Sequence, residues 1–225
     1  MKYAIVDGEK SEATPQLKGT CSFCGAEMIA RCGRHKIWHW AHKSRADCDP
    51  WWESEGEWHR AWKNHFPEEW QEVIHIDNST GEKHIADVKN PFGLVIEFQH
   101  SNIKPEEKQS REEFYKEMIW VVNGNRSDLT EAYFNMGLSG PIQNNPLAYQ
   151  ISWMGRGKFL ENWGESEVKV YLDFGKDHVW RLVFYDKMKK VGAVGPLAKE
   201  EFIKNCLSGK EISVSYLPES NESSE

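Results

Sequence analysis

Two short runs in the middle of the chain, Ile85-Ala86-Asp87-Val88 and Ile96-Glu97-Phe98-Gln99, carry the residues best suited to chemistry. Between them lies Asn90-Pro91-Phe92-Gly93, a turn-forming sequence, so the spacing predicts a β-hairpin. Residues i and i+2 of a strand share a face, which sets Glu97 and Gln99 on one side and Leu94, Ile96 and Phe98 on the other. Folding about residues 90–93 brings Asp87 within about one position of being opposite Glu97. Two adjacent carboxylates make a hard-oxygen site for Mg²⁺ or Mn²⁺, ions that drive phosphodiester hydrolysis. A glutamate set in an apolar run is costly to bury without a partner, which favours a working role over a solvated sheet edge.

A second constellation lies nearer the start. Cys21-Ser22-Phe23-Cys24 is the knuckle that presents two thiolates to one Zn²⁺, and His39-Trp40-Ala41-His42 can supply the other pair. The fourteen residues between Cys24 and His39 suit the hairpin of a small zinc module. The expected ligands are Cys21, Cys24, His39 and His42, with Cys48 the main substitute and Cys32 a spare thiol. A closed four-coordinate site of this kind stabilises a fold and does no chemistry itself.

These groups need elements to hold them. Tyr3–Val6 reads as a short strand. A helix is expected from about Glu53 to Phe66, closed by Pro67; Trp58, Trp62 and Phe66 form its apolar stripe, and Glu55, His59 and Lys63 a second stripe on a neighbouring face. Three strands follow, over 72–76, 83–88 and 94–99. Lys104-Pro105-Glu106-Glu107 opens a second helix running to about Met118, which leads into a buried strand at Ile119–Val122. Further on, the pattern gives a helix over 128–136, loop over 137–150, a hairpin from Val168–Phe174 and Val179–Tyr185, and a last helix from Pro196 to Cys206.

Composition sets the bounds. A chain of 225 residues can bury one good core with a small appendage. It has no apolar run long enough to span a membrane, and its first residues lack the pattern of a secretory leader, so a cytoplasmic protein is expected. Four of the five cysteines fall in the first quarter, which points to metal rather than disulfides. The net charge of −7 argues against a passive DNA-coating protein but not against a nuclease. Most of the eleven tryptophans are expected to pack in the interior.

The helix–β–β–β–helix–β order with Asp87 and Glu97-x-Gln99 resembles the core of the PD-(D/E)xK nuclease superfamily, the restriction-endonuclease-like fold. More closely, the chain resembles the competence protein CoiA-like family, which joins a Cys-x-x-Cys and His-x-x-His segment to such a core. The matching stretches are Cys21–Cys24, His39–His42, Glu57-Trp58-His59 through Lys63, Ile85–Val88, Ile96–Ser101, and Arg111, Phe114, Tyr115 and Ile119-Trp120. They span roughly residues 20 to 124. The resemblance implies an α/β (α+β) protein with a zinc-finger-like module at 1–50 and an αβββαβ nuclease-like core at 51–150; the patterning beyond reads as a β-rich α+β extension at 151–217, and the Ser/Glu/Asn-rich composition as a disordered tail at 218–225. The superfamily's usual lysine is replaced by Gln99.

Under that resemblance Asp87 and Glu97 hold the catalytic metal and Gln99 orients the water, or is a plain hydrogen bonder in the core. Lys63, chosen for the helical face it shares with Glu55 and His59, supplies the missing positive charge or is an exposed snorkelling lysine. Glu55 or Glu57 completes the metal shell, or both are solvated helix charges; His59 assists protonation or contacts phosphate, or is a packed hydrogen bonder. Arg111 and Tyr115, one turn apart, clamp the DNA backbone or brace Glu97. The implied function is a Mg²⁺- or Mn²⁺-dependent nuclease acting on single- or double-stranded DNA, in uptake and recombination or in mobile-element processing. The rival is a non-catalytic zinc-containing nucleic-acid adaptor with a degenerate nuclease fold.

Overall fold

The computed structural model describes residues 1–44, 47–53, 55–155 and 158–212. The chain gathers into two compact units, Met1–Glu97 and Phe98–Glu225. The tail expected from residue 218 lies outside the described residues.

The first unit opens with five short antiparallel strands: β1 (Tyr3–Val6), β2 (Glu9–Glu12), β3 (Lys18–Thr20), β4 (Glu27–Arg31) and β5 (His39–His42), in spatial order β2-β1-β3-β4-β5. Gly19 allows β3 to close on β1, because a Cβ there would stand 2.9 Å from the Ile5 carbonyl oxygen. Met28 and Trp40 are fully buried, packed with Met1, Ala4, Ala13 and Cys21. Trp38 is 47% exposed, so of the two tryptophans flanking His39 only Trp40 belongs to this core.

Next come α1 (Glu57–Lys63), a 3₁₀ turn at Glu68–Trp70, and the antiparallel meander β6 (Gln71–Ile76), β7 (Lys83–Lys89) and β8 (Val95–Gln99). The helix is shorter than its apolar stripe suggests. Gly56 holds an extended backbone, with φ −104° and ψ 178°, and so delays the start to Glu57.

The β7–β8 turn is the predicted one. The Asn90 side chain accepts the N–H groups of Phe92 and Leu94 at 3.1 and 2.9 Å, and Gly93 takes the left-handed φ of 97°. Val88 pairs with Ile96 and Lys89 with Val95, so one step back Asp87 stands opposite Glu97. On the other edge, Gln71 pairs with Val88 and Val73 with Ala86, which sets Glu72 opposite Asp87. Three carboxylates, from Glu72, Asp87 and Glu97, therefore lie in one row across three strands. Directly opposed residues share a sheet face.

The second unit holds α2 (Pro105–Tyr115), β9 (Met118–Asn123), α3 (Asp128–Gly137), β10 (Leu138–Asn144), β11 (Leu147–Ser152), α4 (Phe159–Gly164), β12 (Lys169–Asp173), β13 (His178–Asp186), β14 (Val191–Ala198) and α5 (Lys199–Ser208). Its strands run β10-β11-β14-β13-β12-β9, with β9 and β12 parallel and the others antiparallel. Trp120, Phe134, Leu160, Tyr171 and Phe202 are fully buried in its interior. The order helix, three strands, helix, strand over 57–123 is the expected one.

Two expectations are corrected. Residues 137–150 are not loop but most of the β10–β11 hairpin. Pro141 hid β10 from the pattern, yet a proline is tolerated on an edge strand. Pro196 does not open the last helix; it lies inside β14, which runs on to Ala198, and the helix starts at Lys199. The proline faces Trp180 of β13, beyond the last β14 residue paired with β11, Val194, so its missing N–H disrupts no ladder there.

The hairpin turn sets the register of the carboxylate row, and a Cβ at Gly93 would meet nothing within 4 Å. The cost of Gly93→Ala is then purely that of a left-handed backbone, about 1 kcal/mol. Urea titration of this variant should show that loss with an unchanged m-value.

Candidate functional site

Helix α1 and the meander assemble a buried charge cluster. Lys63, with only 2% of its side chain exposed, sits 2.8 Å from a carboxylate oxygen of both Glu55 and Glu72. Arg60 makes a two-pronged contact with Glu55, through Nε at 2.9 Å and a terminal nitrogen at 2.8 Å. His59 Nε2 lies 2.8 Å from Asp87 Oδ1. Glu97 accepts the backbone N–H of Asp87 at 3.0 Å, so the two strands fix the carboxylate row by main chain as well as by register. The Asp87 side chain is 20% exposed, whereas Glu55 and Glu72 are at 3% and 7%. Asp87 is thus the member of this group that solvent reaches most easily.

Of the predicted stripe Glu55, His59 and Lys63, His59 meets Asp87 on the hairpin and Lys63 meets Glu72 on β6, while Glu55 lies ahead of the helix and contacts Arg60 and Lys63. Glu57 is exposed and is not among these contacts. Lys63 is no snorkelling surface lysine; it is one of the most deeply buried side chains in the protein.

Sequence reasoning missed Glu72. Its carboxylate accepts the backbone N–H groups of Lys2 and Tyr3 at 2.7 and 3.0 Å while pairing with Lys63. It does so from a left-handed backbone with φ of 48°, a conformation that costs a non-glycine residue of order 1–3 kcal/mol. Only the strand register, with Glu72 opposite Asp87, could have signalled it.

The electrostatics follow from these contacts. Burial alone would raise the Glu55 carboxyl, but the Arg60 hydrogen bond and the Lys63 and Arg60 charges outweigh it and bring it down to about 2. Glu72 is likewise lowered against its burial, chiefly by Lys63. Lys63 is raised: burial opposes its charge, and Glu72, Glu55 and Asp87 more than offset that.

In the second unit, Gln99 is buried and its amide donates to the Ser101 carbonyl at 3.3 Å. Arg111 and Tyr115 are interior residues, 5% and 3% exposed. Arg111 pairs with Glu107 at 2.6 Å and lies over the Trp120 ring. Both therefore stand inside the second unit rather than on its surface. His100 Nδ1 is 2.9 Å from the Asn123 amide nitrogen.

A separate centre forms in the amino-terminal sheet. The donor atoms of Cys21, Cys24, His42 and Cys48 all lie within 4.8 Å of one another. Among the described residues this is the one convergence of three or more metal-ligating side chains. Cys21 and Cys48 sulfurs are 3.8 Å apart, and Cys24 Sγ stands 3.3 Å from His42 Nε2. A tetrahedral ion with Zn–S bonds of about 2.3 Å requires an S···S edge of about 3.8 Å, so the set fits zinc.

His39 is not in this set, and Cys48 takes the place expected for it. His39 and His42 are three apart on β5 and so point to opposite faces. His42 shares the face of Trp40, while His39 turns its Nδ1 to the Ile37 carbonyl at 2.8 Å. The knuckle closes through Gly25, left-handed at φ 73°, whose N–H donates to the Cys21 carbonyl.

The centre is tied to the meander. Asp49, next to Cys48, accepts the Ile85 N–H at 2.6 Å and contacts His84 Nδ1 at 2.8 Å, and Trp51 stacks on His84. Lys83 donates to the Phe23 carbonyl inside the knuckle. Strand β7, which carries Asp87, is thereby pinned to two segments that bear metal ligands. Burial, reinforced by Cys21, pushes the Cys48 thiol up to about 12 against a backbone hydrogen bond that lowers it, so metal binding must displace protons.

The molecule is thus a mixed α/β protein, mostly sheet, with a Cys₃His centre in its first unit. Residues 7–50 match the family model of the competence protein CoiA, N-terminal domain. The match spans β2 to β5 and all four converging ligands. No curated protein and no solved structure matches the chain. No helix among the described residues is long and apolar enough to cross a membrane.

Three outcomes are expected. Elemental analysis should find one zinc per chain, retained in His39→Ala and lost in Cys48→Ala. Lys63→Met, which strands two buried carboxylates, should cost about 3 kcal/mol at neutral pH. Glu55 and Glu72 are both depressed from 4.5, so their stabilisation is present above that value and is lost as pH falls from about 4.5 towards 2. Urea titrations from pH 7 to 2 should show this loss, with a shallower slope in Glu55→Gln.

Proposed function

We propose that the protein is a metal-dependent nuclease that hydrolyses DNA phosphodiester bonds in a competence-related process such as DNA uptake or recombination. The observation that carries this reading is the carboxylate row, Asp87 opposite Glu97 on adjacent strands with a buried lysine beside it. The match of residues 7–50 to the CoiA amino-terminal domain supports the competence context.

Asp87 and Glu97 would hold a Mg²⁺ or Mn²⁺, which when bound polarises a phosphate and acidifies the attacking water. The chain's own groups account for the rest. His59 holds the Asp87 carboxylate through its 2.8 Å contact, and the backbone N–H of Asp87 holds Glu97. Lys63, locked by Glu55 and Glu72, provides a fixed positive charge that needs no reorganisation as charge builds on a phosphate. Glu55 acts through Lys63 and Arg60 in this scheme and is a positioning residue.

One observation favours the rival, a non-catalytic nucleic-acid adaptor: Lys63 is engaged by two glutamates at 2.8 Å, which compensates its charge. The readings part on cleavage. Plasmid and single-stranded DNA should be cut by the purified protein with Mg²⁺ or Mn²⁺ and not with EDTA. Asp87→Ala and Glu97→Ala should each lower the rate by at least 100-fold while leaving bound zinc unchanged. No cleavage of any DNA form by wild-type protein, with DNA binding intact in all three, would sink the nuclease reading in favour of the adaptor.

A further inference from the structure

The turn between β4 and β5 carries charges that none of the chemistry above uses. From Met28 to Lys43 the chain has no acidic residue, yet it holds Arg31, Arg34, Lys36 and Lys43, in a protein whose net charge is −7. Lys43 is met by Glu27 at 2.9 Å. Arg31, Arg34 and Lys36 are exposed and form no ion pair with any described residue. Beside them stands the Trp38 ring, the one large apolar side chain that this turn leaves open to solvent.

The turn is held at its base. β3 pairs with β4 over Glu27–Ile29, and Arg31 pairs with His39 beyond that ladder, so residues 32–38 close a two-stranded ribbon. Arg60 donates to the Trp38 carbonyl at 3.2 Å, and His39 Nδ1 meets the Ile37 carbonyl at 2.8 Å. Cys32 packs against the core of the sheet. The main chain beside Trp38 is thereby fixed while its ring stays exposed. Arg31 and His39, directly opposed, share the face turned away from His42 and the other metal ligands. Glu12, an acid near this base, is already met by Lys2 at 3.4 Å and Arg60 at 3.9 Å.

We propose that the β4–β5 turn is a docking surface for duplex DNA, with Arg31, Arg34 and Lys36 on backbone phosphates and Trp38 packed into the groove between them. Charge fixes the sign of the partner: a local cluster of uncompensated cations on an acidic protein calls for a polyanion. Donor type fixes its class, because guanidinium groups match phosphate oxygens. Shape selects the duplex. The closed end of a ribbon is convex, and the major groove of B-form DNA, about 12 Å wide, admits a two-stranded ribbon. A single strand is held instead in a groove of the protein, and the major groove of duplex RNA is too narrow to enter. An anionic membrane would call for several apolar side chains to insert, and the turn exposes only Trp38. The surface needs neither Asp87 nor a divalent ion, so it stands or falls apart from the nuclease reading.

The test is fluorescence anisotropy of a labelled short DNA duplex with the zinc-loaded full chain, without added Mg²⁺ or Mn²⁺ so that no cleavage intervenes. The single strand and an RNA duplex serve as competitors, and co-sedimentation with phosphatidylserine vesicles tests the membrane. Two variants are compared with wild type: Arg31→Gln/Arg34→Gln/Lys36→Gln and Trp38→Ala. The control is Lys187→Gln/Lys189→Gln/Lys190→Gln, which removes the same charge from exposed positions of the β13–β14 turn. The β4–β5 triple variant should bind the duplex about tenfold more weakly or worse, with a salt slope lower by about 2.7, the loss of three contacts at about 0.9 each. Trp38→Ala should weaken binding without changing the slope, because it removes no charge. The control should match wild type in both, and all variants should keep their zinc and unfold thermally as wild type does. Failure of wild type to bind the duplex, equal losses in the two triple variants, or an unchanged slope would overturn the proposal. So would tighter binding of the single strand, the RNA duplex or the vesicles through the same three cations.

Discussion

A lysine ammonium taken out of water costs several kcal/mol unless carboxylates meet it, and Lys63 is met by two. That pairing organises the first unit around the carboxylate row. Glu55 reaches Lys63 from just ahead of the helix, and Glu72 reaches it from the first strand of the meander, so the ammonium joins the helix to the sheet. Glu72 adds a third attachment. By accepting the N–H groups of Lys2 and Tyr3 it fastens the first strand of the chain to the same point. The left-handed backbone at Glu72 is the conformational strain this junction sustains.

The metal-binding module is joined to the same framework by a second route. Cys48 is followed directly by Asp49, whose carboxylate bonds the backbone of Ile85 and contacts His84 on β7. Two residues further along that strand stands Asp87. A cation at the Cys₃His centre would fix Cys48 and hence the near end of Asp49. A closed structural site can in this way influence the placement of a carboxylate while taking no part in chemistry.

Much of this was legible because local rules and tertiary structure agree. The Asn-Pro-Phe-Gly turn has the residues its geometry demands, and period-two patterning placed Asp87 against Glu97. Helical spacing put His59 and Lys63 on one face, whereas Glu55, ahead of the extended Gly56, reaches Lys63 from outside the helix. The failures have physical causes. His39 and His42 looked like a ligand pair on a spacing that a helix or finger would honour, but they sit on a strand, where that spacing splits them between faces. Glu72 was invisible because its role depends on register with a strand fifteen residues away and on a backbone conformation that no propensity favours. The β10–β11 hairpin and β14 carry prolines that read as breakers; Pro141 stands on an edge strand and Pro196 pairs with β13 alone, past the end of the β11 ladder.

The central claim is that the row formed by Asp87 and Glu97 accepts a divalent cation. The most direct test is electron paramagnetic resonance of Mn²⁺ titrated into zinc-loaded protein, comparing wild type with Asp87→Asn. The account predicts one bound Mn²⁺ per wild-type chain and its loss in the variant, with zinc content equal in both. An absence of bound Mn²⁺ in the wild type, or binding that persists undiminished in Asp87→Asn, would contradict it.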